Sequence, residues 1–426
     1  MRRGLEHKTK SKSKLLFQQG NAATEETTMN DLAATAYHGE MGGLQHLVPL
    51  PEIIHPDNFE REVELIFRRS WLPLVHDYDL PEKGSYIVVE MPLFTTSILV
   101  VRGTDERIRC FHNICRHRGN KLVRGGKGCK RGFTCGFHGW TYSASGALTG
   151  VTDEQQFVDL DKSKLGLVSI NCDVWEGMVF VNFDPEPRQT LSEWMEVMSD
   201  EFGGYFSGRE KIASHRIVAN CNWHLGVNSF TEGYHTLYIH KNTVPDYQGG
   251  SANPDRHRPH MELMKRHTRY SAPANPDHVV STVEGLAHKF GRTLFPAFDI
   301  DGSHLPVGVN PGKYNLWAFD VVELFPNFVM LNGAHWHLFM WFWPIDAGRT
   351  VIQMDMYAYK AATVGEKLGH AYFRARGREV FREDVNTLEA MQEMLQSGAM
   401  PHIVLSRQEM ALQHHFKVAG EMMRAN

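Results

Sequence analysis

The stretch Cys115-Arg-His117 and, 17 residues further on, Cys135-Gly-Phe-His138 determines the predicted fold of this 426-residue chain. Each half combines one thiol with one imidazole, so the two short loops must face each other around one metal centre. Two cysteines can bind one iron of a [2Fe–2S] cluster while two histidines bind the other iron. Structural zinc sites usually have a cysteine pair followed by a histidine pair. The interleaved order therefore favours the cluster over zinc.

The sequence around these loops fits a cluster held in a small β-domain. Residues 95–102 and 108–111 are predicted to form two short strands joined by a turn, and the first loop follows at once. Gly119 and Gly139 follow the two histidines and let the backbone approach a cluster closely. Trp140 can shield the cluster from water. Cys129 lies in a glycine- and lysine-rich turn and is not predicted to be a ligand.

A second set of candidate metal ligands lies in residues 222–240, where His235 and His240 are five positions apart. A mononuclear Fe(II) oxygenase site needs two neutral imidazoles and one carboxylate on one side of the metal. The five-residue spacing does not match one face of a regular helix. A helix that ends or bulges between the two histidines would bring both to one metal.

The carboxylate is predicted to come from the helical segment that runs from residue 370 to 395. Asp384 lies on the apolar side of this helix, where a buried carboxylate needs a cation or strong hydrogen-bond donors. A salt-bridged core acid is the alternative interpretation of Asp384. Glu383 and Glu389 lie off that side and are predicted to be solvated. The residues that define the apolar side are Val380, Phe381, Leu388, Met391 and Leu395.

With both motifs, the chain resembles the large catalytic subunits of the Rieske non-haem iron oxygenases over residues 47–395. The resemblance implies one [2Fe–2S] Rieske cluster and one mononuclear Fe(II) per chain. It also places an acidic bridge at Glu232, where the family most often has Asp, and an asparagine beside the iron at Asn228. The implied cluster ligands are Cys115, His117, Cys135 and His138, and the implied iron ligands are His235, His240 and Asp384.

The predicted fold class is α+β, with an N-terminal all-β Rieske domain and an α+β catalytic domain whose antiparallel sheet is flanked by helices. Residues 1–46 are predicted to be a disordered tail. Residues 47–185 are assigned to the Rieske domain, including a helix over residues 59–71. Residues 186–426 are assigned to the catalytic domain with the mononuclear iron.

Composition excludes several classes of protein. A formal net charge of −4 gives no reason to expect nucleic acid as a partner. No apolar run approaches the roughly 20 residues of a membrane span. Six cysteines, two of them predicted ligands, do not form a disulfide framework for a chain of this size, so we expect a cytoplasmic location.

The resemblance implies the terminal oxygenase component of a multicomponent system. Electrons would come from NAD(P)H through a reductase, with or without a ferredoxin, and O₂ would oxidise a small hydrophobic or aromatic substrate, as in aromatic hydrocarbon catabolism. The Glu bridge favours monooxygenation or oxidative N- or O-dealkylation over its alternative, cis-dihydroxylation of an aromatic ring. The candidates for the substrate pocket are Phe230, Leu237, Phe290, Phe295, Phe298, Asn332 and His335.

The resemblance also implies a head-to-tail homotrimer, with or without a small β subunit, in which His138 of one chain meets Glu232 of the next. Two other classes of protein remain open from the sequence. A Rieske electron carrier would need only the first domain, and a zinc-stabilised binding protein would use the same four Cys and His residues.

Overall fold

The computed structural model describes residues 37–39, 44–244, 246–251, 253, 260–291 and 302–425. Most of the predicted disordered tail lies outside the described residues, and so do the pocket candidates Phe295 and Phe298. Among the helices of the described residues, none is both long and apolar enough to cross a membrane.

The N-terminal half consists mainly of short strands. In chain order its elements are β1 (Tyr37–Gly39), β2 (Leu47–Pro49), α1 (Leu50–Ile54), α2 (Pro56–Glu62), a π-helical turn (Val63–Phe67), β3 (Leu72–His76), β4 (Ser85–Met91), β5 (Thr96–Arg102), β6 (Ile108–His112), β7 (Lys127–Cys129), β8 (Gly132–Thr134), β9 (Thr141–Ser143), β10 (Leu148–Gly150), β11 (Ser169–Trp175) and β12 (Met178–Asn182).

Two antiparallel sheets form the predicted small β-domain. The larger sheet has the order β3-β12-β11-β6-β5-β4-β7, and the smaller sheet has the order β10-β9-β8. The first ligand loop follows β6, and the second connects β8 to β9, so each sheet contributes one loop. Apolar side chains of both sheets form one buried core, to which Cys115 and Cys135 also belong. The two loops therefore rest on a rigid support.

The C-terminal half is α+β, as predicted. Its elements are α3 (Leu191–Met195), α4 (Met198–Glu201), β13 (Arg209–Ala219), α5 (Trp223–Asn228), α6 (Thr236–Ile239), β14 (His260–Leu263), β15 (Thr268–Pro273), α7 (Thr282–Gly291), β16 (Trp317–Leu324), β17 (Phe328–Gly333), β18 (Trp336–Asp346), β19 (Arg349–Tyr359), α8 (Val364–Leu395), β20 (His402–Val404) and α9 (Met410–Arg424).

One large sheet organises this half, with the strand order β1-β14-β15-β16-β17-β18-β19-β13. All neighbouring strands are antiparallel except β1 and β14, which are parallel. The 32-residue helix α8 begins with a capping box, in which Thr363 and Glu366 satisfy each other's backbone N–H groups. Side chains of α8 and of the central strands face each other across one pocket, which contains the second set of candidate ligands.

The N-terminal segment contacts the catalytic half, although the sequence assigned it to the Rieske domain. Strand β2 pairs with β20. The Glu62 carboxylate accepts a hydrogen bond from Trp223 Nε1 at 2.8 Å and lies 2.9 Å from His224 Nε2. The predicted helix over residues 59–71 is shorter than expected, because α2 ends at Glu62 and a π-helical turn follows. The domain boundary after residue 185 stays a prediction.

Candidate functional site: a cluster cradle and a metal triad

The two ligand loops have the same backbone hydrogen bonds. The N–H groups of Cys115 and Cys135 each donate to the carbonyl five residues further on, at 2.8 Å in both loops. Gly119 and Gly139 each donate back to the carbonyl of their cysteine at 3.0 Å. Both glycines have positive φ, +76° and +74°, which a residue with a side chain rarely adopts. The sequence thus encodes two copies of one tight turn.

The thiols lie at the base of this cradle, each within hydrogen-bonding distance of one polar side chain. The Tyr142 hydroxyl lies 3.4 Å from Cys115 Sγ, and Asn120 Nδ2 donates to Cys135 Sγ, also at 3.4 Å. Both cysteines are buried. Tyr142 and Asn120 were not predicted from the sequence, because a polar residue in a short strand or turn carries no signal of its own.

The imidazoles lie nearer to the surface than the thiols. The rings of His117 and His138 are 4.7 Å apart, and His117 stacks on Trp140 at 4.8 Å with an interplanar angle of 10°. His117 Nδ1 is buried and has no hydrogen-bond partner within the part of the chain that the structure describes. Phe137 is 55 % exposed beside His138. Two buried thiols below two half-exposed imidazoles, one with an unsatisfied nitrogen, fit a [2Fe–2S] cluster with Cys₂ and His₂ ligands.

His235, His240 and Asp384 converge on one point. Asp384 Oδ1 lies 3.6 Å from His235 Nε2 and 3.2 Å from His240 Nε2, and the three candidate ligand atoms lie within 4.8 Å of one another. Asp384 is only 2 % exposed, and its Oδ1 has no hydrogen-bond donor among the described residues. A buried carboxylate oxygen without a donor is costly unless a cation binds it. The arrangement therefore fits a divalent metal.

A single helical turn explains the five-residue spacing of the histidines. His235 is the N-cap residue of α6, and His240 is its C-cap residue. The helix is four residues long, so each imidazole leaves from one end of the turn and both reach the same side. Asp384 lies near the middle of α8, as the apolar pattern predicted, and its neighbours Phe381 and Leu388 are buried. Met391, predicted on the same apolar side, is instead exposed.

Each histidine of the triad is held by a glutamate at its other ring nitrogen. Glu232 contacts His235 Nδ1 and also accepts from the His235 backbone N–H at 3.2 Å. Glu383 Oε2 lies 2.8 Å from His240 Nδ1. A carboxylate at the second nitrogen fixes the ring orientation and leaves Nε2 for a metal.

Glu383 and Glu389 were predicted to be solvated, but both are half-buried and have partners in the protein. Glu383 contacts His240, and Glu389 accepts hydrogen bonds from the backbone and side chain of Asn220. Helical periodicity shows which side of α8 packs on the sheet. It does not show which loops cover the flanks. Residues just after α6 contact Glu383, and a residue just before α5 contacts Glu389.

The charges around the triad suit a cation. Burial raises the pKa of the Asp384 carboxyl, and His240 and His235 offset part of this effect. Burial alone would lower the pKa of His235, but the nearby carboxylates of Glu232 and Asp384 raise it above its ordinary value. Three carboxylates around two imidazoles thus create a site that favours positive charge.

Only some of the residues predicted to line the substrate pocket do so among the described residues. Phe230 lines the pocket beside the triad. Within the described residues, Leu237 and Asn332 do not line it, and Phe290 and His335 are exposed. Asn228 ends α5, and its buried Oδ1 has no partner in the described chain, but it lies outside the pocket lining. Arg376, which was not predicted from the sequence, also lines the pocket.

Comparison with protein families gives two matches. Residues 70–165 match the Rieske [2Fe-2S] domain, and residues 206–425 match the ring hydroxylating alpha subunit (catalytic domain). The second match covers half of the chain and contains all three residues of the metal triad. The first contains both loops of the cluster cradle.

The curated relatives are oxygenase components. The carnitine monooxygenase oxygenase subunit of Acinetobacter pittii is 24 % identical over 386 residues, which are 84 % of this chain and 91 % of that protein. The large oxygenase component of the naphthalene 1,2-dioxygenase system of Pseudomonas aeruginosa is 34 % identical over 206 residues. Those residues are 45 % of this chain and 44 % of that protein.

Solved structures share the fold at low sequence identity. Naphthalene 1,2-dioxygenase from Rhodococcus sp. bound to indole has a TM-score of 0.74 at 19 % identity, over 95 % of this chain and 98 % of that chain. A quaternary ammonium Rieske monooxygenase in complex with an inhibitor has a TM-score of 0.68 at 20 % identity, over 87 % of this chain and 94 % of that chain.

The two family matches agree with the cluster cradle and the metal triad described above. The protein is an oxidoreductase with a Rieske [2Fe–2S] domain and a catalytic domain that binds mononuclear iron, and its relatives work with reductase or ferredoxin partners and O₂. The chain therefore belongs to the Rieske non-haem iron oxygenases, as the large, ring-hydroxylating alpha subunit.

Proposed function

We propose that His235, His240 and Asp384 bind the catalytic iron, and that the two cysteines and two histidines of the cradle bind the Rieske cluster. One observation carries the first assignment. Both imidazoles direct Nε2 at the same buried carboxylate oxygen, while glutamates hold both Nδ1 atoms. A set of two histidines and one carboxylate leaves further metal positions open, which is typical of Fe(II) sites that react with O₂.

The protein residues position the reactants and exclude water. Iron in this site supplies the activation of O₂ when it is bound. Glu232 and Glu383 keep the imidazoles in one tautomer with Nε2 free. The walls of the pocket are largely apolar and limit the water that reaches the triad. Representative lining residues are Phe230, Phe319, Leu338, Met340, Phe373 and Phe381.

The substrate is a small molecule with a hydrophobic or aromatic body, and the reaction is monooxygenation or oxidative N- or O-dealkylation. Two observations support this reaction type. Glu232 occupies the bridging position with a longer side chain than the usual Asp. The carnitine monooxygenase subunit matches this chain along most of its length. Cis-dihydroxylation is the second candidate, because a naphthalene dioxygenase component is 34 % identical over 206 residues and a naphthalene dioxygenase structure shares the fold.

The working assembly is a head-to-tail homotrimer in which His138 of one chain contacts Glu232 of its neighbour. The surface beside each centre supports this arrangement, since exposed aromatic side chains often mark protein contacts. Phe137 is exposed next to His138, while Tyr234 and Tyr238 are exposed next to Glu232, Tyr238 to 72 %. A reductase, with or without a ferredoxin, supplies electrons from NAD(P)H, and a small β subunit is compatible with this assembly.

The test combines metal analysis with product analysis. Wild-type protein should show a Rieske EPR signal plus additional ferrous iron. Asp384→Ala should keep the Rieske signal and lose the additional iron, while Glu379→Ala, on the exposed side of the same helix, should keep both. Incubation with a surrogate reductase, ¹⁸O₂ and a panel of aromatic and N- or O-alkyl compounds should incorporate one labelled oxygen per turnover. The label enters a hydroxyl group in a hydroxylation and the released aldehyde in a dealkylation. Colourless protein with stoichiometric zinc would refute the proposal, and two labelled oxygens in a diol would favour the second candidate.

A further inference from the structure

Helix α8 carries a cation into the substrate pocket at the end away from the triad. Arg376 and Asp384 both line the pocket and are eight residues apart on this helix, about 12 Å along its axis at 1.5 Å per residue. Val380 lies between them on the same side and also lines the pocket. One wall of the pocket therefore runs from the metal triad, past apolar side chains, to a guanidinium group.

The guanidinium of Arg376 is held firmly but is not fully hydrogen-bonded. Its Nη1 donates to Glu284 Oε1 and to the Tyr372 hydroxyl, both at 2.9 Å. Its Cζ lies 4.7 Å from the centre of the Tyr247 ring. The side chain is only 9 % exposed, and its Nε–H group is buried with no acceptor in the described part of the chain. A buried donor without an acceptor is unfavourable, so an oxygen acceptor on a bound molecule would stabilise the site.

The charge of Arg376 is already neutralised. The Glu284 carboxylate pairs with it and also accepts from the Tyr247 hydroxyl, and His278 Nε2 lies 3.4 Å from the same oxygen. Burial alone would raise the pKa of Glu284, but hydrogen bonds from Tyr247 and Arg376 lower it below its ordinary value. Glu284 is therefore ionised at neutral pH, and this end of the pocket has no net charge from the pair.

These observations distinguish between two classes of substrate. A carboxylate on the substrate would bring a second negative charge beside Glu284 in a buried site, which is costly without a second cation. An uncharged oxygen acceptor could take the free Nε–H without adding a buried charge. The apolar walls between the two ends would contact a hydrophobic body.

We infer that the substrate is a hydrophobic or aromatic molecule with an uncharged oxygen acceptor, such as a carbonyl, ether or nitro oxygen, at the end away from the oxidised position. Arg376 binds this acceptor through Nε–H and thereby sets which carbon faces the metal triad. The inference deepens the proposed function and rests on it. Arg376 and Glu284 therefore act together. Arg376 donates the hydrogen bond, and the negative charge of Glu284 disfavours a charged acceptor.

The test uses three probes of similar shape on the oxidised holoenzyme, without reductant, so that binding is measured apart from turnover. The probes are 2-acetylnaphthalene, 2-isopropylnaphthalene and 2-naphthoate, and equilibrium dialysis gives the three Kd values. The ketone should bind about tenfold more tightly than the hydrocarbon, a difference of about 1.4 kcal/mol, and more tightly than the carboxylate.

Two variants of the pair sharpen the test. Arg376→Lys keeps a cation opposite Glu284 but removes the Nε–H group, so the preference for the ketone over the hydrocarbon should disappear. Glu284→Gln leaves the guanidinium without its counter-charge, so affinity for 2-naphthoate should rise at least fivefold. Arg378→Lys, which changes an exposed arginine on the same helix that pairs with Glu379, should leave all three Kd values within twofold.

Several results would overturn the inference. These are tightest binding of 2-naphthoate to the wild-type protein, an unchanged preference in Arg376→Lys, or failure of all three probes to bind. Failure of the proposed function has a different signature, because a protein that never incorporates ¹⁸O into any compound can still show the ketone preference. An active oxygenase without that preference would refute the inference alone.

Discussion

Glu383 Oε2 lies 2.8 Å from His240 Nδ1, and the Thr243 hydroxyl donates to the same oxygen at 2.6 Å. Glu383 therefore holds one imidazole of the triad in the way that Glu232 holds the other. Because Glu383 precedes Asp384 in the chain, one short stretch of α8 supplies both a candidate ligand and the residue that orients another.

Replacing Glu383 should weaken iron binding more than it affects folding. In Glu383→Ala, His240 loses the partner that fixes its ring, and loss of such a contact typically lowers metal affinity 10- to 100-fold. Iron retention against a competing chelator measures the effect. Glu379→Ala, four residues earlier and paired only with surface arginines, is the matched control. Equal iron retention in both variants would show that Glu383 does not position the ligand.

Glu232→Gln should keep both metal centres but lose turnover. The amide is similar in size to the carboxylate and still reaches His235, but it lacks the negative charge that the proposed bridge to His138 of a neighbouring chain requires. Iron content and the Rieske EPR signal should match the wild type, while stopped-flow reduction of the iron site should be slow. Glu232→Asp, which restores the usual family residue, should recover part of the activity. Full activity in Glu232→Gln would exclude the bridging role.

Tyr142→Phe should lower the reduction potential of the Rieske cluster. The hydroxyl lies 3.4 Å from Cys115 Sγ, and a hydrogen bond to a ligand sulfur stabilises the reduced, more negative cluster. A redox titration followed by EPR measures the shift. Tyr86→Phe changes another buried tyrosine of the same core and should leave the potential unchanged. An unaltered potential in Tyr142→Phe would mean that this hydroxyl does not interact with the cluster.

His267 should make the protein less stable as the pH falls below neutrality. Its Nε2–H donates to the Trp194 carbonyl at 2.8 Å, and its Nδ1 accepts from the Phe325 N–H at 3.1 Å, so the buried ring must be neutral. Burial lowers the pKa of His267 to about 3. The unfolded chain, with an ordinary histidine pKa, thus binds more protons than the folded chain between about pH 6.5 and 3.

The stability that neutral His267 contributes is complete above pH 6.5 and decreases by up to about 1.4 kcal/mol per pH unit below it. The fall in Tm between pH 7 and pH 5 should therefore be smaller in His267→Gln than in the wild type. His55→Gln, at an exposed position, should follow the wild-type curve. Parallel curves for wild type and His267→Gln would contradict the prediction.

Site residues could be predicted from the sequence where their spacing to nearby residues is distinctive. Cys115 and Cys135 were recognisable because each has a histidine two or three positions away. Asp384 was recognisable because an acid on an apolar helix side needs an explanation. The triad also required the resemblance to a family, since a five-residue histidine spacing alone does not define a metal site.

The residues that were missed act through contacts distant in sequence. Glu383 reaches His240 across 143 positions, and Arg376 reaches Glu284 across 92. The periodicity of α8 does not distinguish Glu383 from a solvated residue. It does place Arg376 on the same side as Val380 and Asp384, but it cannot show that Glu284 is the partner of the guanidinium. The contacts of Glu62 could not be predicted for the same reason. Its buried partners Trp223 and His224 lie in the other half of the chain.

The two glutamates that hold the triad histidines affect how the protein binds and loses its metal. Both rings are held by protein atoms, so metal binding should cost little conformational entropy in these two side chains. We therefore expect the catalytic domain to stay folded when a chelator removes the metal. We expect an iron-starved cell to keep this polypeptide as a reserve that regains its catalytic centre as soon as ferrous ion becomes available.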